Sequence, residues 1–301
     1  MYDSIFKKEN AHDSSIWSCD WSVNQEYQDI LVSGGLDDKV KIWLWKDDEL
    51  LEKYNLDGHA LGIVSTRFNS DATAIISSSL DGQIKLWDVE TGKLTRSIEL
   101  EIGNSDKVLF SPNDDKFITG SRTGLINMYD IRSGNKENSI ETRGKFVQSL
   151  AFSPDGAFLA CGIFDGIINI FDFSNFTLIH SFEGHAMPVP DLSFSPDSKK
   201  LISGSHDKTI KIYDTLNGTI IKTLCGHESW VYSVFASPDN QHFGSVSPDK
   251  MIKIWDMNSM TCVHTIHDHN SAVWSGKYSK DATKIVTVSD SNTILIHRVM
   301  N

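Results

Sequence analysis

An all-β fold of seven repeated, four-stranded units is what this sequence of 301 residues predicts, and three observations predict it. The first is spacing. Ser111-Pro112, Ser153-Pro154, Ser195-Pro196 and Ser237-Pro238 recur every 42 residues, and Asn69 and Ser279 hold the same phase. A fixed period of roughly 20 to 50 residues marks repeat architecture. The second is a set of marks in register. A histidine (His12, His59, His185, His227, His269) is followed by an aspartate (Asp37, Asp81, Asp207, Asp249), and an aromatic stands six residues later (Trp43, Trp87, Tyr213, Trp255), with Tyr129 and Phe171 in the same slot. The third is local pattern. Segments such as 201–205 and 210–213 are short, β-branched and partly alternating, and Pro, Asp, Asn and Gly bound them, as expected of strands.

Taken in chain order, the units start near residues 12, 59, 101, 143, 185, 227 and 269. The first carries three extra residues between its His and its Asp. Ser-Pro-Asp suits a tight turn, with proline's fixed φ at the second position and Asp bonding its own backbone. A four-stranded sheet of this size cannot bury both faces alone, whereas seven stacked about an axis can, which makes a seven-bladed β-propeller. Only three residues follow Arg298, so the seventh unit lacks its fourth strand. Residues 4–12 align with 261–269, a fourth strand elsewhere, so residues 1–11 are expected to supply it and close the ring. One domain, 1–301, uses the whole chain, although its length alone suggests two.

Composition narrows the function. A net charge of −12 and a pI near 5.3 argue against binding a phosphate backbone directly, because such proteins carry a basic stripe. No apolar run approaches 18 residues and no signal-peptide core follows Met1, so neither membrane nor secretion is expected. Cys19, Cys161, Cys225 and Cys262 are isolated and read as reduced, mostly buried thiols of an intracellular protein. His264, His267 and His269 offer too few close ligands for a structural metal, and no glycine-rich phosphate cradle occurs, so no metal or cofactor is expected.

Ser, His and Asp recur together as His12/Ser33/Asp37, His59/Ser77/Asp81, His185/Ser203/Asp207 and His227/Ser245/Asp249. A hydrolase needs one activated serine with an oxyanion hole, not four copies. Repetition instead predicts a structural network, in which Asp accepts backbone and His N–H groups while Ser and Trp43, Trp87, Tyr213 or Trp255 extend the chain to the neighbouring strand. No catalytic residue is expected. The network thins in unit three (Glu101, Thr123), unit four (Arg143, Cys161) and unit seven (Ser291, His297).

These recurring marks resemble the WD40 family over the whole chain. Residues 11–17, 142–147, 165–172, 184–188 and 261–265 further resemble the WD-repeat subunits of superkiller complexes, which in animals also occur in the Paf1 transcription-elongation complex. The resemblance implies a non-enzymatic scaffold, cytoplasmic and nuclear. It implies a monomeric propeller within a hetero-complex, assisting exosome-mediated 3′-to-5′ mRNA decay. Its implied partners are helical-repeat and helicase subunits, or Paf1-complex subunits, presenting peptide or helical surfaces. In WD40 rings the residue before the turn Asp, and those three and five after the His, line the narrow top face. Here those slots include Trp17, Arg122, Phe146, Phe164, His206, Trp230, Tyr232 and Trp274. Aromatic and Arg residues dominate protein–protein hot spots, so this rim is the expected binding site. An alternative is a substrate receptor of a cullin-type ubiquitin ligase. Tyr129-Asp130-Ile131-Arg132 resembles the WD-x-R box of such receptors, once and with Tyr for Trp.

Overall fold

Every repeat becomes a sheet for the same local reasons, and the fifth shows them clearly. Its strands are Asp191–Phe194, Lys200–Gly204, Thr209–Asp214 and Thr219–Cys225. The first turn is closed by Ser195, whose Oγ donates to Asp197 Oδ1 (2.6 Å) and accepts from Lys200 N (2.9 Å). Asp207 caps the second turn by accepting from Thr209 N and Thr209 Oγ1. The third turn requires a left-handed residue, and Gly218 at φ +64° provides it while its N–H donates to Asp214 O.

The computed structural model describes residues 2–100, 107–142 and 145–300. Unit starts Glu101 and Arg143 lie outside the described residues. The fold is a seven-bladed β-propeller of seven four-stranded antiparallel sheets, with no helix among the described residues. Six sheets use four consecutive strands. The seventh joins Val273–Tyr278, Lys284–Ser289 and Ile294–Val299 to the first strand of the chain, Tyr2–Lys8. That strand runs antiparallel to Ile294–Val299, from Tyr2 opposite Val299 to Lys8 opposite Ile294, with a bulge between Ser4 and Phe6.

Two compact units divide the chain. One comprises Met1–Thr119, Met128–Glu137 and Trp274–Asn301, and the other Gly120–Asn127 and Asn138–Val273. In the first unit, blade one packs on blade seven through Ile16, Cys19, Trp21, Leu31 and Trp43 against Val286, Val288, Ile294 and Ile296. Phe6 of the closing strand meets Trp45 edge-on at 5.6 Å. The three extra residues of blade one lengthen its first hairpin: Ile16–Asn24 has 9 residues and Gln28–Gly35 has 8, where the counterparts in blade two have 6 each. In the second unit, blades four and five share a core of Ile168, Ile170, Phe182, Val189, Leu201 and Tyr213, and blades five and six one of Ile202, Ile210, Leu224, Val231, Phe243 and Trp255.

One expectation is corrected. Cys19 and Cys161 are buried, but Cys225 and Cys262 are exposed, because they stand on outer strands where half of each strand faces water. Among the described residues no helix is long and apolar enough to cross a membrane.

Candidate functional site

Two constellations stand out, one buried and one exposed. In blades one, two and six a Trp Nε1–H donates to Ser Oγ, the Ser lies against His Nε2, and His Nδ1 lies against Asp. The distances are 2.8, 2.7 and 2.9 Å for Trp43, Ser33, His12 and Asp37. They are 2.9, 2.8 and 3.0 Å for Trp87, Ser77, His59 and Asp81. For Trp255, Ser245, His227 and Asp249 they are 2.8, 2.7 and 2.8 Å. This order of partners fits a neutral imidazole, with Nδ1–H donating to the carboxylate and Nε2 accepting from the hydroxyl.

Blade five keeps His185 Nε2 to Ser203 Oγ (2.6 Å) and His185 Nδ1 to Asp207 (2.8 Å), and ends differently. Tyr213 is fully buried, and its hydroxyl stands beside Ser203 without the geometry of a hydrogen bond. A phenol carries its hydroxyl at the tip of the ring, whereas an indole carries its N–H on the flank, and here the oxygen overshoots Ser203 and lies against Gly184, where an added Cβ would clash with it. The substitution leaves a buried hydroxyl that the Trp blades do not have.

Each turn Asp also accepts the backbone N–H after its histidine, from Asp13, Ala60, Ala186 or Glu228, at 2.9 to 3.2 Å. Burial alone would raise these carboxyl pKa values. The hydrogen bonds outweigh it, and Asp37, Asp81, Asp207 and Asp249 all sit below the ordinary carboxylate range. Burial lowers the His59 pKa, and Asp81 only partly offsets that. The four serines are no more than 1% exposed. Their Oγ atoms are engaged inside the sheets, which is the geometry of a structural relay.

The exposed constellation lies at the end of each sheet where the first strand begins and the second ends. In the unit that holds blades four to six, Phe146 precedes strand Val147–Phe152 and Phe164 follows strand Phe158–Ile163. Their rings stack at 6.3 Å, and the Arg122 guanidinium lies 5.6 Å over Phe146. Phe164 N also donates to Phe146 O, which fixes the pair. In the same unit His206 stacks on Trp230 (4.4 Å, 16°) and on Tyr232 (5.8 Å, 25°). Burial lowers the His206 pKa, so the ring is neutral at physiological pH, and its Nε2 has no hydrogen-bond partner. Phe164 is 54% and Trp230 is 44% exposed, unusual values for such side chains.

In the other unit Trp17 and Trp274 are half-buried. Trp274 Nε1 donates to Asp290 Oδ1 (3.3 Å), which also accepts from Ser15 Oγ (2.7 Å). Pro188 and Pro190, in equivalent slots of blade five, are buried. The sequence did not reveal the pairing of the rim residues. Arg122 reaches Phe146, and His206 reaches Trp230 and Tyr232, from the preceding blade, a contact across the blade seam rather than along the chain.

Comparison with known proteins completes the picture. Residues 64–240 match the family model described as nucleolar protein 10-like, N-terminal domain, and residues 4–43 and 260–298 match the WD domain, G-beta repeat. A WD repeat-containing protein, SL1-17, of Schistosoma mansoni is 38% identical over 119 residues, 39% of each chain. Pre-mRNA-processing factor 17 of Saccharomyces cerevisiae is 36% identical over 90 residues, 30% of this chain and 19% of the relative. Superkiller complex protein 8 of Dictyostelium discoideum is 30% identical over 100 residues, 33% of this chain and 32% of the relative. The matched segments thus span two fifths or less of these relatives.

Proposed function

We infer that this chain, which belongs to the β-propeller family of nucleolar protein 10-like N-terminal domains and carries WD repeats, is a non-enzymatic scaffold that binds other proteins. The observation that carries the reading is a pair of partly exposed stacks, Arg122/Phe146/Phe164 and His206/Trp230/Tyr232, in which Arg122, Phe164 and Trp230 are exposed and the others half-buried, all at equivalent ends of their sheets. Rigid aromatics with a guanidinium and a neutral imidazole among them are hot-spot chemistry. An extended peptide with an apolar or aromatic anchor fits such a surface. Trp17 and Trp274 belong to the same proposed face by their slots in the repeat. The buried relays are assigned to stability, since their serines are closed to substrate.

The more specific reading is a subunit of a superkiller-type complex that assists exosome-mediated mRNA decay, with a second role in a Paf1-type elongation complex. Its support is the likeness to superkiller complex protein 8. The partners would then be helical-repeat and helicase subunits, RNA would be reached only through them, and the chain would act as one propeller domain, 1–301, in cytoplasm and nucleus. The likeness to a pre-mRNA-processing factor and to a nucleolar protein family supports the nuclear part.

The test is affinity capture of the wild-type chain and of Trp230→Ala, each first shown to melt at the same temperature. A helicase and a helical-repeat protein captured by wild type, with affinity reduced by about 2 kcal/mol in the variant, support both statements. Equal capture by both forms removes the aromatic face from the reading. Cullin adaptors captured through Arg132, whose side chain is exposed, would replace the complex with a ligase.

A further inference from the structure

We propose that the outer strand of blade five, Thr219–Cys225, takes up an extended segment of a partner protein, apolar with an acidic side chain, as a fifth strand. This surface is separate from the aromatic ends and does not depend on them.

Outer strands present unpaired backbone N–H and C=O groups, and proteins blunt them with charge. The outer strands of blades one to three follow that rule. Glu49–Leu56 carries Glu49, Glu52 and Lys53; Leu94–Glu99 carries Arg96 and Glu99; Lys136–Glu141 carries Lys136, Glu137 and Glu141. Thr219–Cys225 carries one charge, Lys222, and is exposed at five consecutive positions. Ile220 and Ile221 are 46% and 39% exposed, and Leu216 in the turn before them, at 68%, is the most exposed large hydrophobic among the described residues. The outer strands of blades four and six, Leu178–Glu183 and Cys262–Ile266, are also poor in charge, but both are shorter and neither is exposed at more than two consecutive positions, and that of blade four ends on an acidic Glu183.

Register narrows the contact. Lys222 stands opposite Ile212 and Ile220 opposite Tyr213, so Ile221 is the extra residue of a bulge. Regular pairing is available from Lys222 to Cys225, with the two isoleucines as an apolar shelf beside it. Strand addition of this kind draws affinity from main-chain bonds and specificity from alternate side chains.

Charge selects the occupant. The whole chain carries −12, yet residues 184–226 hold five lysines against four aspartates. Two of those aspartates are committed inside, Asp191 to Ser233 and Asp207 to His185. The edge therefore favours an acidic residue opposite Lys222. A second copy in the register centred on Lys222 would set lysine against lysine, which destabilises a pair, whereas an acidic residue there does not.

The test uses the full chain and a synthetic nonapeptide of alternating valine and threonine with a central glutamate, beside a twin with central lysine. Binding is read by fluorescence anisotropy and located by amide exchange. The expected result is saturable binding that protects amides of residues 222–225, with the glutamate peptide favoured roughly five-fold. Lys222→Glu, an exposed substitution that leaves the fold intact, should reverse the preference, and Trp230→Ala should change nothing. Absence of saturable binding, protection elsewhere, or an unchanged preference in Lys222→Glu overturns the proposal. Sedimentation showing a dimer with residues 222–225 protected overturns it in favour of self-association.

Discussion

In blade six, Trp255, Ser245, His227 and Asp249 form one continuous buried chain of hydrogen bonds. The aromatic and serine slots of blade four hold Phe171 and Cys161, both buried, and neither offers a strong donor. Burial pushes the Cys161 thiol up to about 12, so it stays protonated and behaves as a small apolar group. The two sheets share strand number, order and length to within a residue or two. The backbone ladder and the apolar faces thus suffice to build a blade. The relay ties the turn to the strands by hydrogen bonds, and its proposed role is to add stability. Its drawback is that each member left alone is a buried polar group without a partner.

That contrast can be broken most sharply at its centre. Asp249→Ala should destabilise the protein by roughly 3 kcal/mol, since His227 Nδ1 and Glu228 N both lose their acceptor. Thermal unfolding measures it, and a change below a few tenths of a kcal/mol would remove the relay from the stability argument. Cys161→Ser should cost about 1 to 2 kcal/mol, because the new hydroxyl meets Phe171 instead of an indole N–H. If it stabilises, blade four holds an acceptor that its apolar slots do not suggest.

Blade five lies between the two extremes and sharpens the comparison. Tyr213→Phe removes a buried hydroxyl that makes no hydrogen bond, and should be neutral or stabilising by up to about 1 kcal/mol. A clear loss in denaturant unfolding would mean that Ser203 does use that oxygen.

Acid provides the mildest probe. The Asp249 carboxyl is held below its unfolded value, so its contribution is complete above about pH 4 and is lost as pH falls through the folded value. His59 is also lowered by burial, so the unfolded chain binds the proton more readily and blade two weakens as pH falls below about 6.5. Amide exchange corrected for intrinsic rates should therefore show blade two opening more at pH 5.5 than at pH 7.5, and blade four unchanged. Equal responses in the two blades would refute the assignment.

Much of this was legible in the residues. The 42-residue phase, the His-to-Asp interval and the match of 4–12 to 261–269 carried blade number, turn positions and the strand that completes blade seven. They did so because turn chemistry and alternation act within a few residues along the chain. Partnerships across blades were not legible. That Arg122 lies over Phe146, that His206 stacks on Trp230 and on Tyr232, and that Tyr213 misses its bond depend on where neighbouring backbones meet. The exposure of Cys225 and of the Ile220–Ile221 edge was hidden for the same reason: the repeat pattern says which strand is outermost, but not how much of its surface a neighbour covers.

What the sequence determined by itself is therefore the architecture, since a periodic pattern of turns and apolar faces permits few ways to bury both sides of seven small sheets. What only the tertiary structure decided is which polar groups find partners and which aromatic rings remain in water. Those outcomes turn on distances of a few ångströms between residues far apart in the chain, and no local rule of sequence encodes them.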